Sequence, residues 1–198
     1  MEKTTRSTKA RAQLDRNAWI LAAIELLATG GVSGLRVELL AKHLKVTKGS
    51  FYWHFKDRND LLQAILSTWK EGRIRDVIKQ TRATPGNELN QLHHVIEVYS
   101  ASRSRKGMMI ELAVRDWARH DSAAAAVVEA VDTARLNCTR TLFLDCGLPE
   151  AEAASRSLLL YAYVFGASLM FCGRYSDDVA ALKKDIAGLI ATSASDAA

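Results

Sequence analysis

A chain of 198 residues that is 48% hydrophobic and 25% charged is globular and large enough for a real core, as one large domain or a small one joined to a larger one. Its three cysteines, Cys138, Cys146 and Cys172, are odd in number and lack C-x-x-C spacing, which argues against a disulfide framework and for a reducing cytoplasm. The net charge of +5 lies wholly in the first third: residues 1–60 carry eleven Lys/Arg against six Asp/Glu, and residues 61–198 carry sixteen of each.

A basic head on a neutral body suits a polyanion-binding unit attached to one with another task; the competing reading is a solvated basic face with no partner. Residues 1–12 form a polar, basic arm, expected to be disordered, with no apolar region of a secretory signal. Two prolines in the whole chain, with abundant Ala and Leu, predict an all-α fold. Ile20, Ala23, Ile24 and Leu27 make the first apolar stripe, and "TGGVSG" (29–34) stops that helix. A short helix follows over Val37–His43, then a turn at Leu44–Val46, then a second short helix from about Lys48 to Phe55. Asp57 caps a long helix running towards Thr81, striped by Leu62, Ile65, Leu66 and Trp69, which links head to body.

Beyond Pro85, Leu92, Val95, Ile96 and Tyr99 mark one helix and Met108–Arg119 another. Asp121 is the expected cap of the next, with the stripe Val127, Val131, Ala134, Cys138 and Leu142. Gly147 ends it and Pro149 opens its successor. The last helix carries Val179, Leu182, Ile186, Leu189 and Ile190. The stretch "LLLYAYVFGASLMFC" (158–172) has no charge on any face, so it must be buried all round, yet it is too short to span a bilayer. It is therefore expected to pack on its own domain and on a second copy, giving a homodimer through the last two helices, about 149–194.

Two short helices across a tight turn, braced by a longer one, predict a helix-turn-helix over about 36–55. Helical spacing sorts the crowded aromatics of "VTKGSFYWHFKDRNDLL" (46–62): Phe51 and Phe55 face the core with Leu40, Leu44 and Val46, while Tyr52, with Lys48 and Lys56 a turn to either side, faces DNA. Lys48 and Ser50 suit base edges or phosphate; Tyr52, His54 and Lys56 suit phosphate oxygens; Gly49 permits close backbone approach.

"GVSGLRVELLAKHLKVTKGSFYWHFKDRNDLLQAIL" (31–66) resembles the DNA-binding head of the TetR family of bacterial transcriptional regulators. The likeness is carried by Leu40-Ala41, by Leu44 and Val46 around the turn, and by "SFYWHFKDRNDLL" after it. It implies a dimer of about nine helices per chain, with a three-helix head at 13–73 and a ligand-binding, dimerising body at 74–198. It also implies DNA contacts at Thr47, Lys48, Gly49 and Ser50, with Tyr52, His54 and Lys56 on phosphates or adjoining bases. Arg36 and Val37, at the opening of the first short helix, join that set. Arg36 stands where the family often has Thr or Ser; it cannot cap N–H groups, which leaves Ser33 or fraying. Lys45 stands where the family usually has Gly.

Neither "GGVSG" nor "TKGS" fits a nucleophile elbow or a phosphate loop. His93 and His94 diverge on a helix, Asp116 and His120 read as a surface or pocket hydrogen bond, and Glu111 with Arg115 reads as an ordinary i,i+4 pair. No catalytic set, metal site or cofactor is expected. A small-molecule pocket is expected among the body's aromatics and methionines, at Tyr99, Met109, Trp117, His120, Tyr161 and Phe165. The reading is a cytoplasmic, non-enzymatic, non-membrane repressor that binds a pseudo-palindromic operator as a dimer and is released by a small-molecule effector. Control by a protein partner, activation rather than repression, and a helical-bundle enzyme or cofactor carrier are the alternatives.

Overall fold

The computed structural model describes residues 14–100, 105–170, 175 and 178–191; the polar arm, Phe171 and Cys172 fall outside them. The described residues form nine α-helices and no strand. They are α1 (Arg16–Gly30), α2 (Val37–His43), α3 (Lys48–Phe51), α4 (Arg58–Thr81), α5 (Glu88–Ser100), α6 (Arg105–Ala118), α7 (Ser122–Asp145), α8 (Glu150–Leu169) and α9 (Val179–Ala191). Four helices start on aspartate caps: Asp15 accepts from the Ala18 N–H at 2.8 Å, Asp57 from Asp60 at 2.9 Å, Asp121 from Ala124 at 2.9 Å and Asp178 from Ala181 at 2.8 Å. Each satisfies a donor that the first turn leaves open, worth about 1 kcal/mol.

Two departures from the expected local structure stand out in the head. The recognition helix closes after one turn rather than reaching Phe55: Tyr52 N–H bonds to Gly49 O and His54 N–H to Phe51 O, a tightening to i−3 bonds. The tightened turn keeps Phe51 and Phe55 stacked, 5.1 Å between centroids, and both buried. At the start of α2, Arg36 makes no capping bond and Ser33 does not replace it, because its hydroxyl donates back to Gly30 O at 3.4 Å. Arg58 instead fastens this loop from α4, donating from Nε to Leu35 O and from Nη2 to Val32 O, both at 2.8 Å.

The head core gathers Trp19, Ile20, Ala23 and Leu27 of α1, Leu40 of α2, Phe51 and Phe55, and Leu61, Leu62, Ile65, Leu66 and Trp69 of α4. Trp19 meets Phe51 edge-on at 5.5 Å. This cluster does not end with the head: Val114 and Trp117 of α6 and Ala124 and Val131 of α7 belong to it. A second cluster holds Leu92, Val95, Ile96 and Tyr99 of α5 with Leu142, Phe143, Leu160, Val164 and Ile190. α7 packs on α4, α6 and α8, and α5 on α4, α8 and α9, so α4 borders both clusters.

Two body helices sit differently from their sequence stripes. On α7 the buried face runs through Ala124, Val131, Arg135, Thr139 and Leu142, whereas Ala134 and Cys138 are only half-buried. The stripe was displaced because an arginine takes a core position opposite a carboxylate on α6. α8 ends at Leu169 and in one chain buries a single face: Leu160, Tyr161 and Val164 are inside, while Leu158, Leu159, Leu169 and Met170 are exposed.

The end of α2 carries a backbone cost. Val46 N–H bonds to Ala41 O and Lys45 N–H to Lys42 O, a Schellman ending with Lys45 at the left-handed position, φ 57°. α7 ends the same way on Gly147, φ 87°. A Cβ is disfavoured there, so Lys45→Gly should stabilise the chain by about 0.5–1 kcal/mol after the added freedom of the unfolded glycine is subtracted. Urea unfolding of the two proteins measures this; a lower midpoint for Lys45→Gly would refute it.

Candidate functional site

The outer face of the head is built by α2, the turn and α3. Thr47 stands in extended backbone as the cap of α3 and makes no side-chain capping bond. Thr47, Lys48, Gly49, Tyr52 and Lys56 are exposed, and Ser50 and His54 are half-buried. The Lys56 main-chain N–H is held by Asp60 Oδ2 at 3.0 Å, which leaves its ammonium pointing to solvent. Arg36 is exposed at the start of α2, but the Val37 side chain is buried in the head core, because its side of the helix is shared with Leu40 and Ala41. Trp53, not singled out from the sequence, is 86% exposed beside Tyr52. Its neighbours at i−2 and i+2, Phe51 and Phe55, take the core, and a tight turn leaves it no inner side.

Lys48 does not project freely. Its Nζ meets Glu38 Oε1 of α2 at 2.5 Å, across the turn. The hydrogen bond from Lys48 holds the Glu38 carboxyl below its ordinary value, and the same bond raises Lys48. Any anion that Lys48 meets therefore has to displace this carboxylate. Behind the face, Arg16 pins α1 to the α3–α4 turn: Nη2 donates to Asp60 at 2.9 Å, Nε to His54 O at 3.3 Å, and its guanidinium lies 4.6 Å from the Phe55 ring centroid.

In the body, five helices converge on a small cavity. Arg73 of α4, Tyr99 of α5, Gly107, Met108 and Glu111 of α6, Arg135 of α7, and Tyr161, Val164 and Phe165 of α8 line it. Its volume is about 20 Å³, room for roughly one water. Of the residues expected at a ligand site, Tyr99, Tyr161 and Phe165 are brought together here and Met109, Trp117 and His120 are not. On α6 the inward face passes through Met108 and Glu111, which turns Met109 to solvent and places Trp117 on the opposite side, in the cluster shared with the head. His120 lies beyond the helix end and is exposed.

Beside the cavity lies a buried ion-pair network in which the expected i,i+4 pair of Glu111 with Arg115 is one member. Arg135 donates to both oxygens of Glu111, at 2.8 and 3.0 Å, with each residue only 4% exposed. Arg115 donates to Glu111 at 3.1 Å and, with two nitrogens, to Asp132 at 2.9 and 2.6 Å. Arg115 and Arg135 also lie 4.2 and 5.7 Å from the centroid of Phe165. Burial drives the Glu111 carboxyl up, but the hydrogen bonds and charge of Arg135, then the charge of Arg115, outweigh it and hold the group below its ordinary value. Burial likewise opposes the charge on Arg135, and Glu111 overcomes it.

Residues 20–65 match the family model of the bacterial regulatory proteins, tetR family. Over these residues the head is similar to the DNA-binding heads of that family. Similar curated proteins include HTH-type transcriptional regulator AcrR of Shigella flexneri, 33% identical over 114 residues that cover 54% of this chain and 51% of that one. Tetracycline repressor protein class G of Vibrio anguillarum is 34% identical over 107 residues, 54% of this chain and 46% of the repressor. The chain thus aligns with about half the length of these curated relatives. A likeness of fold alone extends further than the sequence likeness: the solved fatty acid degradation regulator FadR of Bacillus halodurans superposes with a TM-score of 0.64 at 17% identity, over 94% of this chain and 98% of that one.

The Glu111–Arg135 pair sets an acid limit on stability. A carboxyl held below its ordinary 4.5 contributes fully above that pH and loses its contribution as the pH falls through the folded-state value. Unfolding midpoints should therefore drop on acidification below about pH 4.5, and Glu111→Gln should flatten that limb. Glu111→Ala, which strands Arg135, should cost about 3–5 kcal/mol at neutral pH, whereas Glu111→Met with Arg135→Met should lie much nearer the parent. Equal losses in the single and double variants would show that the pair does not act as a unit.

Proposed function

We propose that this chain is a dimeric transcriptional repressor that binds a pseudo-palindromic DNA operator and is released by a small molecule held in the body. The observation that carries the reading is the exposed row Thr47, Lys48, Gly49, Tyr52 and Lys56 on a head similar to those of the tetR family, within the first 60 residues that hold the chain's whole basic excess. A one-turn α3 suits base contact through its first residues, while Tyr52, His54 and Lys56 hold phosphates and fix register. Arg36 reaches the neighbouring phosphate from α2. The tetracycline repressor among the relatives lends the repressor sense to this proposal. No described helix is long and apolar enough to cross a membrane, in keeping with a protein that works on DNA in the cytoplasm.

Dimerisation falls to α8 and α9. Leu158, Leu159, Leu169, Leu182 and Leu189 are exposed on these two helices, an apolar face that a second copy would cover. Two heads must then meet major grooves about 34–36 Å apart or a multiple of it. α4 carries the message, because its first half packs in the head core and its Arg73 lines the body cavity. A ligand that spreads the cavity tilts α4 and changes the spacing of the heads. Linkage sets the scale of release at about 1–3 kcal/mol.

The test of DNA recognition is a salt series of binding curves on a selected operator and on random duplex. Lys48→Ala should relax discrimination by about 1–3 kcal/mol at the contacted step. Lys56→Ala should weaken all sequences alike and lower the salt slope by about one unit. Glu38→Gln should tighten binding, since Lys48 then leaves no carboxylate behind. Curves unaltered by all three changes would remove this face from the interface.

Ala162→Glu, on the exposed face of α8, should leave the fold intact, convert dimer to monomer in sedimentation, and reduce operator binding to that of one half-site. An intact dimer would place the interface elsewhere.

A further inference from the structure

The cavity carries an unbalanced charge. Three ionised side chains line it: Arg73, Arg135 and Glu111. Glu111 is committed to Arg135 through both oxygens, and Arg115, which also reaches it, is matched by Asp132. That pairing leaves the Arg73 guanidinium without a carboxylate among the described residues, and its buried Nε has no hydrogen-bond acceptor. A guanidinium is a planar fork of donors that fits the two oxygens of a carboxylate, and a buried donor gains most from an ionised acceptor. The rest of the lining is an apolar and aromatic body: Tyr99 and Tyr161, 5.8 Å between ring centroids, with Met108, Val164 and Phe165.

We propose that the cavity recognises a small organic carboxylate with an aromatic or acyl body, its oxygens on Arg73 and its body among Tyr99, Tyr161 and Phe165. The proposal rests on the reading of the cavity as the effector site and names the chemical class of that effector. A cation is disfavoured by the same uncompensated charge, and a neutral amide of the same shape loses the charge-assisted bond. Since the cavity admits about one water as it stands, the carboxylate enters by parting α6 and α8 from α4. Arg73 lies one helical turn beyond Trp69, the last α4 residue buried in the head core, so a pull on its guanidinium acts on the segment that carries the head.

The test uses the full chain, thermal unfolding and calorimetric titration at fixed ionic strength, with benzoate, hexanoate, benzamide, benzylamine and inorganic phosphate as probes. The carboxylates should raise the unfolding midpoint and bind about 10- to 100-fold more tightly than benzamide. Benzylamine and phosphate should bind no better than benzamide. Arg73→Met should abolish the preference for carboxylate and Arg73→Lys should retain part of it. Benzamide, benzylamine or phosphate binding as well as benzoate, an unchanged preference in Arg73→Met, or no binding of either carboxylate overturns the proposal. The comparison of probes on the parent protein stands even if a variant fails to fold. DNA-binding curves with and without benzoate separate the two readings. Carboxylate binding through Arg73 that leaves DNA affinity untouched supports the site and removes the release mechanism. Release by benzoate that persists in Arg73→Met supports the release mechanism and removes the site.

Discussion

One unbroken helix, Arg58–Thr81, constrains everything else in the molecule. At about 1.5 Å per residue its 24 residues span roughly 36 Å, long enough to serve as the floor of the head and as a wall of the body. Leu61, Leu62, Ile65, Leu66 and Trp69 commit its first half to the head core. Val77 is buried further along, and Arg73 faces the cavity. A rod tied at both ends cannot shift at one without being felt at the other. A body that reports on its contents to the head, as proposed above, would act through this rod.

The polar interactions divide into two kinds. At the head surface they are exposed and replaceable: Lys48 with Glu38, Arg16 with Asp60, and Lys106 with Glu25 from α6 to α1. Such exposed pairs contribute little to stability. In the body, Glu111 and Arg135 have no such freedom. Their desolvation is offset by each other and by Arg115 and Asp132 in close geometry, so they fix how α6 sits on α7 and with it the shape of the cavity.

Much of this was legible in the sequence because it depends on local chemistry. Asp57 and Asp121 announce their helices by capping, "VELLAKH" is a helix ending at a turn, and the Phe51/Phe55 spacing separates core from surface. Lys45 could be flagged only through the family resemblance, since the family usually has glycine at that turn, and its φ of 57° shows why. What failed to read depends on the far side of the contact. Arg135 looks like a surface residue until Glu111 is known to face it, and α7's stripe was misregistered for that reason. Choosing Met109 over Met108 is an error of one position on α6, about a hundred degrees of helix, which periodicity alone does not resolve when both neighbours are methionine. The length of α3 was overestimated because aromatic spacing at i, i+4 is satisfied equally by a tight turn.

The merging of the head core with α6 and α7 bears on cooperativity. Trp117, Val114, Ala124 and Val131 cover apolar surface of the head, so a head cut away after α4 would expose that surface to water. Reading unit and sensing unit are therefore not separately stable modules joined by a hinge. The shared apolar core ties the packing of α1 and α4 to that of α6 and α7. Loosening anywhere along this shared seam softens the join between head and body, so under the proposed mechanism substitutions far from either site would alter the response simply by weakening that connection.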